Sequence, residues 1–267
     1  MSHPRHSTPP SPRRRRLRLF AIALALTTAT GAAAADAPSP IRLTYDEGDY
    51  AGTTTIWSED GKKNLGFISY RQRRTGDILH IERTAYFRDG SQDEDTVDAQ
   101  VGGQLRAIGG RSATSMRRST MGLPRVSRIT ERRLRGFYID DGKRADIDEQ
   151  ADISAATYWG PLFQLVVKNF AANAADGKVV VQSVVVTPKP RILDMEFARD
   201  GGTTVQRPGG SIRTDRITLL PTVNFLVDPI LQRLVPKTEF LVAPGEPPML
   251  AQFTGPRNYA GAMMRLQ

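Results

Sequence analysis

The chain has 267 residues, with 37 Lys and Arg against 28 Asp and Glu, three His and no Cys, for a formal charge of +9. The absence of Cys excludes disulfides, thiolate nucleophiles and zinc-thiolate sites, and removes the residue on which a bacterial lipoprotein carries its lipid. The excess charge is concentrated at one end: Arg5, Arg13, Arg14, Arg15, Arg16 and Arg18 lie in a stretch without acids, and the rest of the chain balances at 31 basic residues against 28 acidic ones.

Those six arginines precede an apolar run, Leu19–Leu26, and a tail of small residues ending at Ala33, Ala34 and Ala35. A basic tract, a short apolar run and a small-residue cleavage site are the three parts of a secretory signal peptide. The sequence therefore predicts a signal peptide over residues 1–35, cleavage near Ala35 and a periplasmic or secreted mature protein. An uncleaved anchor is the alternative, but Leu19–Ala35 is short for a membrane span and rich in Ala and Thr. The arginine tract also resembles a twin-arginine signal, which leaves the export route open. Residues 36–40, with Pro38 and Pro40, read as a linker. Residues 41–267 are then a single β-rich domain, long enough to bury its own core. No later stretch approaches 18 apolar residues, so a soluble mature chain without a transmembrane segment is expected.

From Ile41 the sequence alternates short runs of β-branched and aromatic residues with turn chemistry. Ile41–Tyr45, Thr53–Trp57, Leu65–Arg71, Ile78–Phe87 and Thr96–Val101 are predicted strands, with turns such as Asp60-Gly61, Gly76-Asp77 and Asp89-Gly90 between them. In the fourth, Leu79, Ile81, Ala85 and Phe87 share one side while His80, Glu82, Thr84 and Tyr86 share the other, the pattern of a sheet with one wet face. Gln104–Tyr138 holds nine arginines and one acid, and an acidic run, Asp140–Asp152, follows; the two blocks can pair across neighbouring strands. A helix is predicted from Pro161, with Leu162, Leu165, Val166, Asn169 and Phe170 on one face and a stop at Asp176-Gly177. A shorter helix is expected from Asp228 to Val235, ended by Pro236. Strands resume at Val179–Thr187, Arg191–Ala198, Ser211–Leu219, Thr238–Val242 and Met249–Thr254.

Motifs of common chemistries are missing. There is no G-x-S-x-G, no phosphate-binding loop and no dinucleotide fingerprint, so no cofactor is expected. Beyond the leader His80 is the sole histidine, and no metal site is predicted. His80 and Glu82 could touch one substrate, and Asp93, Glu94, Asp95 and Asp98 could supply a carboxylate pair, but solvated residues on a strand explain both sets. The spacing of Asp146 and Asp148 lacks the glycine and glutamate of a calcium loop. Arg117, Arg118, Arg128 and Arg132 are candidate anion contacts for an envelope component; without aromatics between Gln104 and Gly136 to stack bases, nucleic acid is not expected. The aromatic and aliphatic residues around the helices, Trp159, Phe163, Phe170, Phe225 and Leu226, are candidate lining for a lipid or other hydrophobic small molecule, although the same residues also suit plain helix-to-sheet packing.

A signal peptide, strand-rich halves around one helix, and a closing run from Gly210 to Leu219 with Phe225 and Pro236 resemble uncharacterised exported proteobacterial proteins, similar in shape to the periplasmic lipoprotein carriers LolA and LolB. The resemblance spans most of residues 41–259 and implies a mainly β fold: an antiparallel half-barrel or strongly curved open sheet, with one main and one short helix on its concave side. It implies a binding or chaperone-like protein that holds a lipidic ligand. It brings no catalytic residue, and an envelope enzyme or an interaction module are the alternatives. The chain departs from the lipid-anchored carrier in having no Cys, and Gly245–Tyr259 has no counterpart in the carriers.

Overall fold

The computed structural model describes residues 36–45, 48–115, 124–130, 132–140, 143–173, 177–185, 191–207, 209–222, 237–257 and 261–267. The expected signal peptide, Arg117, Arg118, Phe225, Leu226 and the expected short helix lie outside the described residues. The strands are β1 (Tyr50–Ser58), β2 (Asn64–Thr75), β3 (Ile78–Phe87), β4 (Gln92–Gly102), β5 (Gln104–Ser115), β6 (Pro124–Thr130), β7 (Arg133–Asp140), β8 (Lys143–Gln150), β9 (Thr157–Tyr158), β10 (Lys178–Val185), β11 (Arg191–Arg207), β12 (Gly210–Pro221), β13 (Thr238–Ala243), β14 (Met249–Pro256) and β15 (Met263–Leu266). Between β9 and β10, a 3₁₀ turn (Gly160–Leu162) leads into the main helix α1 (Phe163–Asn173).

All fifteen strands belong to one curved, open sheet, in the order β8-β7-β6-β5-β4-β3-β2-β1-β15-β14-β13-β12-β11-β10-β9. Tight turns join most neighbours and make them antiparallel; β9 runs parallel to β10 because α1 crosses between them. Period-two patterning decides which side is inside. Leu79, Ile81 and Ala85 of β3 are buried while His80, Glu82 and Tyr86 face out, as the alternation predicts.

The helix lies against the inner face. Leu162, Leu165, Val166, Val167 and Phe170 belong to a single core that reaches from Ile147 of β8 to Val181 of β10, near the two ends of the strand order. Gly160–Leu162 packs on β3 and β4 while α1 packs on β11 to β14, so the sheet curls around this one segment. Its apolar stripe is the one the 3.6-residue period predicts, and Asn169, also on that stripe, is fully buried. Two glycines permit the approach. Gly160, at φ 54°, takes the left-handed turn that leads Trp159 into Pro161. Gly110 lets Trp159 lie against the sheet: a Cβ there would stand 2.8 Å from the indole nitrogen and 2.4 Å from the Thr96 carbonyl.

The seam between β5 and β10 is bridged by the amino-terminal segment. The Ser39 N–H donates to Val180 O at 2.9 Å, Leu105 N–H to Ile41 O at 2.9 Å, and Leu43 N–H to Gly103 O at 3.0 Å. The Ile41 N–H donates to the Tyr158 hydroxyl at 2.8 Å, and that hydroxyl donates to Leu105 O at 3.0 Å, joining β9 to a strand eleven places away in the order. Helix α1 holds the same segment: Asn169 Oδ1 accepts from Thr44 N–H at 2.9 Å, and Asn173 Nδ2 donates to Arg42 O at 3.0 Å. Because the amino-terminal segment crosses from β10 to β5, Ile41–Tyr45 does not become the expected strand; it makes one antiparallel bridge, Arg42 to Gln104. Ser39, expected in a linker, is thereby tied to β10. Strand β15, absent from the predicted elements, inserts between β1 and β14 and joins the chain's two halves.

Candidate functional site

A cavity of about 410 Å³ opens between one flank of α1 and the inner faces of β1, β2, β14 and β15. Ile68, Leu165, Leu250, Phe253 and Leu266 form its apolar wall. Tyr50 and Met249 line it at 60% and 50% exposure, the two highest values among the exposed large apolar side chains described, and so mark its rim. Polar groups enter from three sides. Gln164 and Lys168 come from the half-buried flank of α1, Gln72 from β2 and Arg207 from the end of β11. Gln72 is fixed by accepting from the Tyr70 hydroxyl at 3.0 Å and donating to Gly48 O at 2.7 Å. Arg207 donates through Nη2 to Ala251 O, while its buried Nε has no hydrogen-bond partner among the described residues. Two cations, Lys168 and Arg207, thus share a recess of mixed apolar and polar lining with the Asp49 carboxylate.

The described aromatic residues singled out in the sequence, Trp159, Phe163 and Phe170, stand behind this cavity and are not among its lining. Phe170 is 2% exposed and packs on Phe197 with ring centroids 5.7 Å apart. Phe163 approaches the same ring at 6.2 Å, and Trp159 is buried against β4 and β5. From Phe197 the contacts pass to Phe240 at 6.1 Å and on to Phe253 at 5.3 Å, which does reach the cavity. The large rings fill the interior, and the space remains where inward positions are small or polar: Gly52, Thr54, Ala251 and Gln164. That complementary signal was present in the sequence and is weaker than an aromatic cluster.

The acids divide by the same alternation. Asp93 and Asp95 of β4 point inward and each meets an arginine. Arg257 grips Asp93 through two bonds of 2.9 and 3.1 Å with its guanidinium 3.5 Å over the Phe87 ring. Arg83 pairs with Asp95; burial opposes the arginine's charge, and the Asp95 carboxylate, with Asp93 behind it, more than offsets this and raises its pKa above the ordinary value. Glu94 and Asp98 point outward. Asp98 accepts from His80 Nδ1 at 2.6 Å and Glu82 lies 3.3 Å from Nε2. The hydrogen bond to Asp98 raises the His80 pKa, partial burial opposing it. The structure therefore does bring His80, Glu82 and Asp98 together. They flank opposite nitrogens of one ring, so they converge on no common point and leave the imidazole without a free nitrogen for proton transfer.

The basic and acidic blocks meet as the sequence predicts. In the β7–β8 hairpin Asp148 pairs with Arg133 and, at 3.3 Å, with Arg135, while Arg144 pairs with Asp146 at 2.8 Å. Of the candidate anion contacts that are described, Arg128 stands exposed on β6 and Arg132 exposed in the turn that follows. Among the described residues no helix is long and apolar enough to cross a membrane. No family model, no curated protein and no solved structure matches the chain.

Proposed function

We propose that this protein is a periplasmic binding protein that holds an amphiphilic small molecule, with its apolar part in the 410 Å³ cavity and an anionic head at Lys168 and Arg207. The observation that carries this reading is the cavity itself. Its volume falls within the roughly 300–1,000 Å³ of small-molecule sites, and it sets an apolar wall beside polar and cationic groups, as an amphiphile requires. A curved open sheet around a helix is the shape that the resemblance to lipoprotein carriers implies, and the leader-like residues 1–35 support export. A protein of this kind sequesters its ligand and transforms no bond.

Isothermal titration of the full chain with decanoate and with decanol tests the proposal. Decanoate should bind more tightly than decanol, and Lys168→Met should weaken decanoate alone. Thr54→Trp, which fills the recess from β1, should abolish binding of both. Failure of both probes to bind, or binding that Thr54→Trp leaves intact, would refute it.

A further inference from the structure

On the opposite, outer face of the sheet, β5 to β8 form a second recess of about 560 Å³. Five arginines line it, Arg111, Arg128, Arg133, Arg135 and Arg144, together with Phe137. Strand register explains their convergence: Arg111 stands directly opposite Arg128, Arg128 opposite Arg135, and Arg135 opposite Asp148. Neighbouring strands lie about 4.8 Å apart, so three like-charged side chains form a row roughly 10 Å long on one face. Like charges directly opposite destabilise a sheet pair, and an exposed face has no packing need that would call for arginine at all three positions. Among the described residues the row is neutralised at its ends, where Glu94 lies 3.7 Å from Arg111 and Asp148 lies 3.3 Å from Arg135. Among the described residues no carboxylate pairs with the central Arg128. Arg144 lies 4.2 Å above the Phe137 ring, which holds that guanidinium at the edge of the recess.

We infer that this row is a binding site for a small anion carrying two or more phosphoryl groups. Each guanidinium presents a planar fork of donors that matches phosphate oxygens, and adjacent forks at the interstrand spacing favour an anion with several such groups over one with a single group. A recess admits a compact anion better than a flat bilayer surface. One face of the Phe137 ring is already taken by Arg144. The site shares no residue with the cavity proposed for the amphiphile and stands or falls independently of it.

The test is calorimetric titration of the full chain with tripolyphosphate, with orthophosphate and citrate as comparators. Tripolyphosphate should bind at least about tenfold more tightly than either, since each charge-assisted bond is worth about that factor. Arg128→Gln should weaken it about tenfold and reduce the slope of log affinity against log salt by about one. It should leave the urea midpoint unchanged or raised, because repulsion is relieved, which a merely structural arginine would not do. Arg135→Gln should weaken binding as well, and Lys62→Gln, on a distant exposed turn, should not. The amino-terminal arginines are common to all these chains and cancel in the comparison. Unchanged affinity in both Arg128→Gln and Arg135→Gln, equal binding of citrate, or retention by anionic phospholipid vesicles that tripolyphosphate does not displace would each overturn the inference.

Discussion

Replacing Tyr158 with Phe removes one oxygen from the seam of the sheet and strands two partners. The hydroxyl accepts from the Ile41 amide and donates to the Leu105 carbonyl, at 2.8 and 3.0 Å, and the side chain is fully buried. A net hydrogen bond is worth about 1 kcal/mol, and a buried group left without a partner costs about 1–3 kcal/mol. The ring itself still fills its place, so we expect a total loss of about 2–3 kcal/mol. For a domain of this size each kcal/mol lowers Tm by about 2–4 °C, which gives a drop of about 4–12 °C. Urea unfolding of the two full chains, followed by circular dichroism, measures the loss, and hydrogen exchange at the Ile41 amide localises it. Burial pushes the Tyr158 phenol up from 10.0 to about 12. A group with a raised folded pKa stabilises fully below its unfolded value and loses that contribution as pH rises through the folded one, so the gap between wild type and Phe should narrow from pH 10 towards about 12. A loss below about 0.5 kcal/mol, with Ile41 equally protected in both chains, would refute the claim that this hydroxyl pins the seam.

Asp95→Asn should cost about 3 kcal/mol in urea unfolding, because it leaves the Arg83 guanidinium half-buried without its counter-charge; a loss under about 1 kcal/mol would show that solvent already screens the pair. His80 should titrate above 6.5 by NMR and return towards 6.5 in Asp98→Asn. Its contribution to stability should be present below pH 6.5 and fade as pH rises through the elevated value, and since the ring is 43% exposed the effect should stay below about 1 kcal/mol; a titration at or below 6.5 contradicts the reading.

The local parts of the fold were legible because they follow from short periods. Alternation alone defines β3, from Ile78 to Phe87, and assigns its two faces; the 3.6-residue stripe of α1 holds from Leu165 to Phe170. The Arg and Asp blocks announced the β7–β8 pairing, since opposite charges separated by one turn have few other partners. What was hidden depends on register and closure. Nothing in the spacing of Arg111, Arg128 and Arg135 says that they stand abreast; that follows from bulges and turn lengths in β5 and β6. Strand β15 is only four residues long and is a strand because β1 and β14 both need a neighbour. The cavity was sought among large aromatic residues, yet hydrophobic burial pulls such rings together and leaves room beside small ones.

The amino-terminal strap has a kinetic consequence. Its hydrogen bonds to Tyr158, Asn169 and Asn173 join residues 117, 125 and 131 positions apart, whereas most strand pairings close across a single turn. Loops of that length carry a high closure entropy, repaid only once the partner surface exists. The strap is the first part of the folded unit to leave the ribosome and the last able to find its place, after β5, β9, β10 and α1 have been made. Until it docks, the curled sheet has an unlatched edge, and the rate at which the latch engages sets how long that edge is open to other strands.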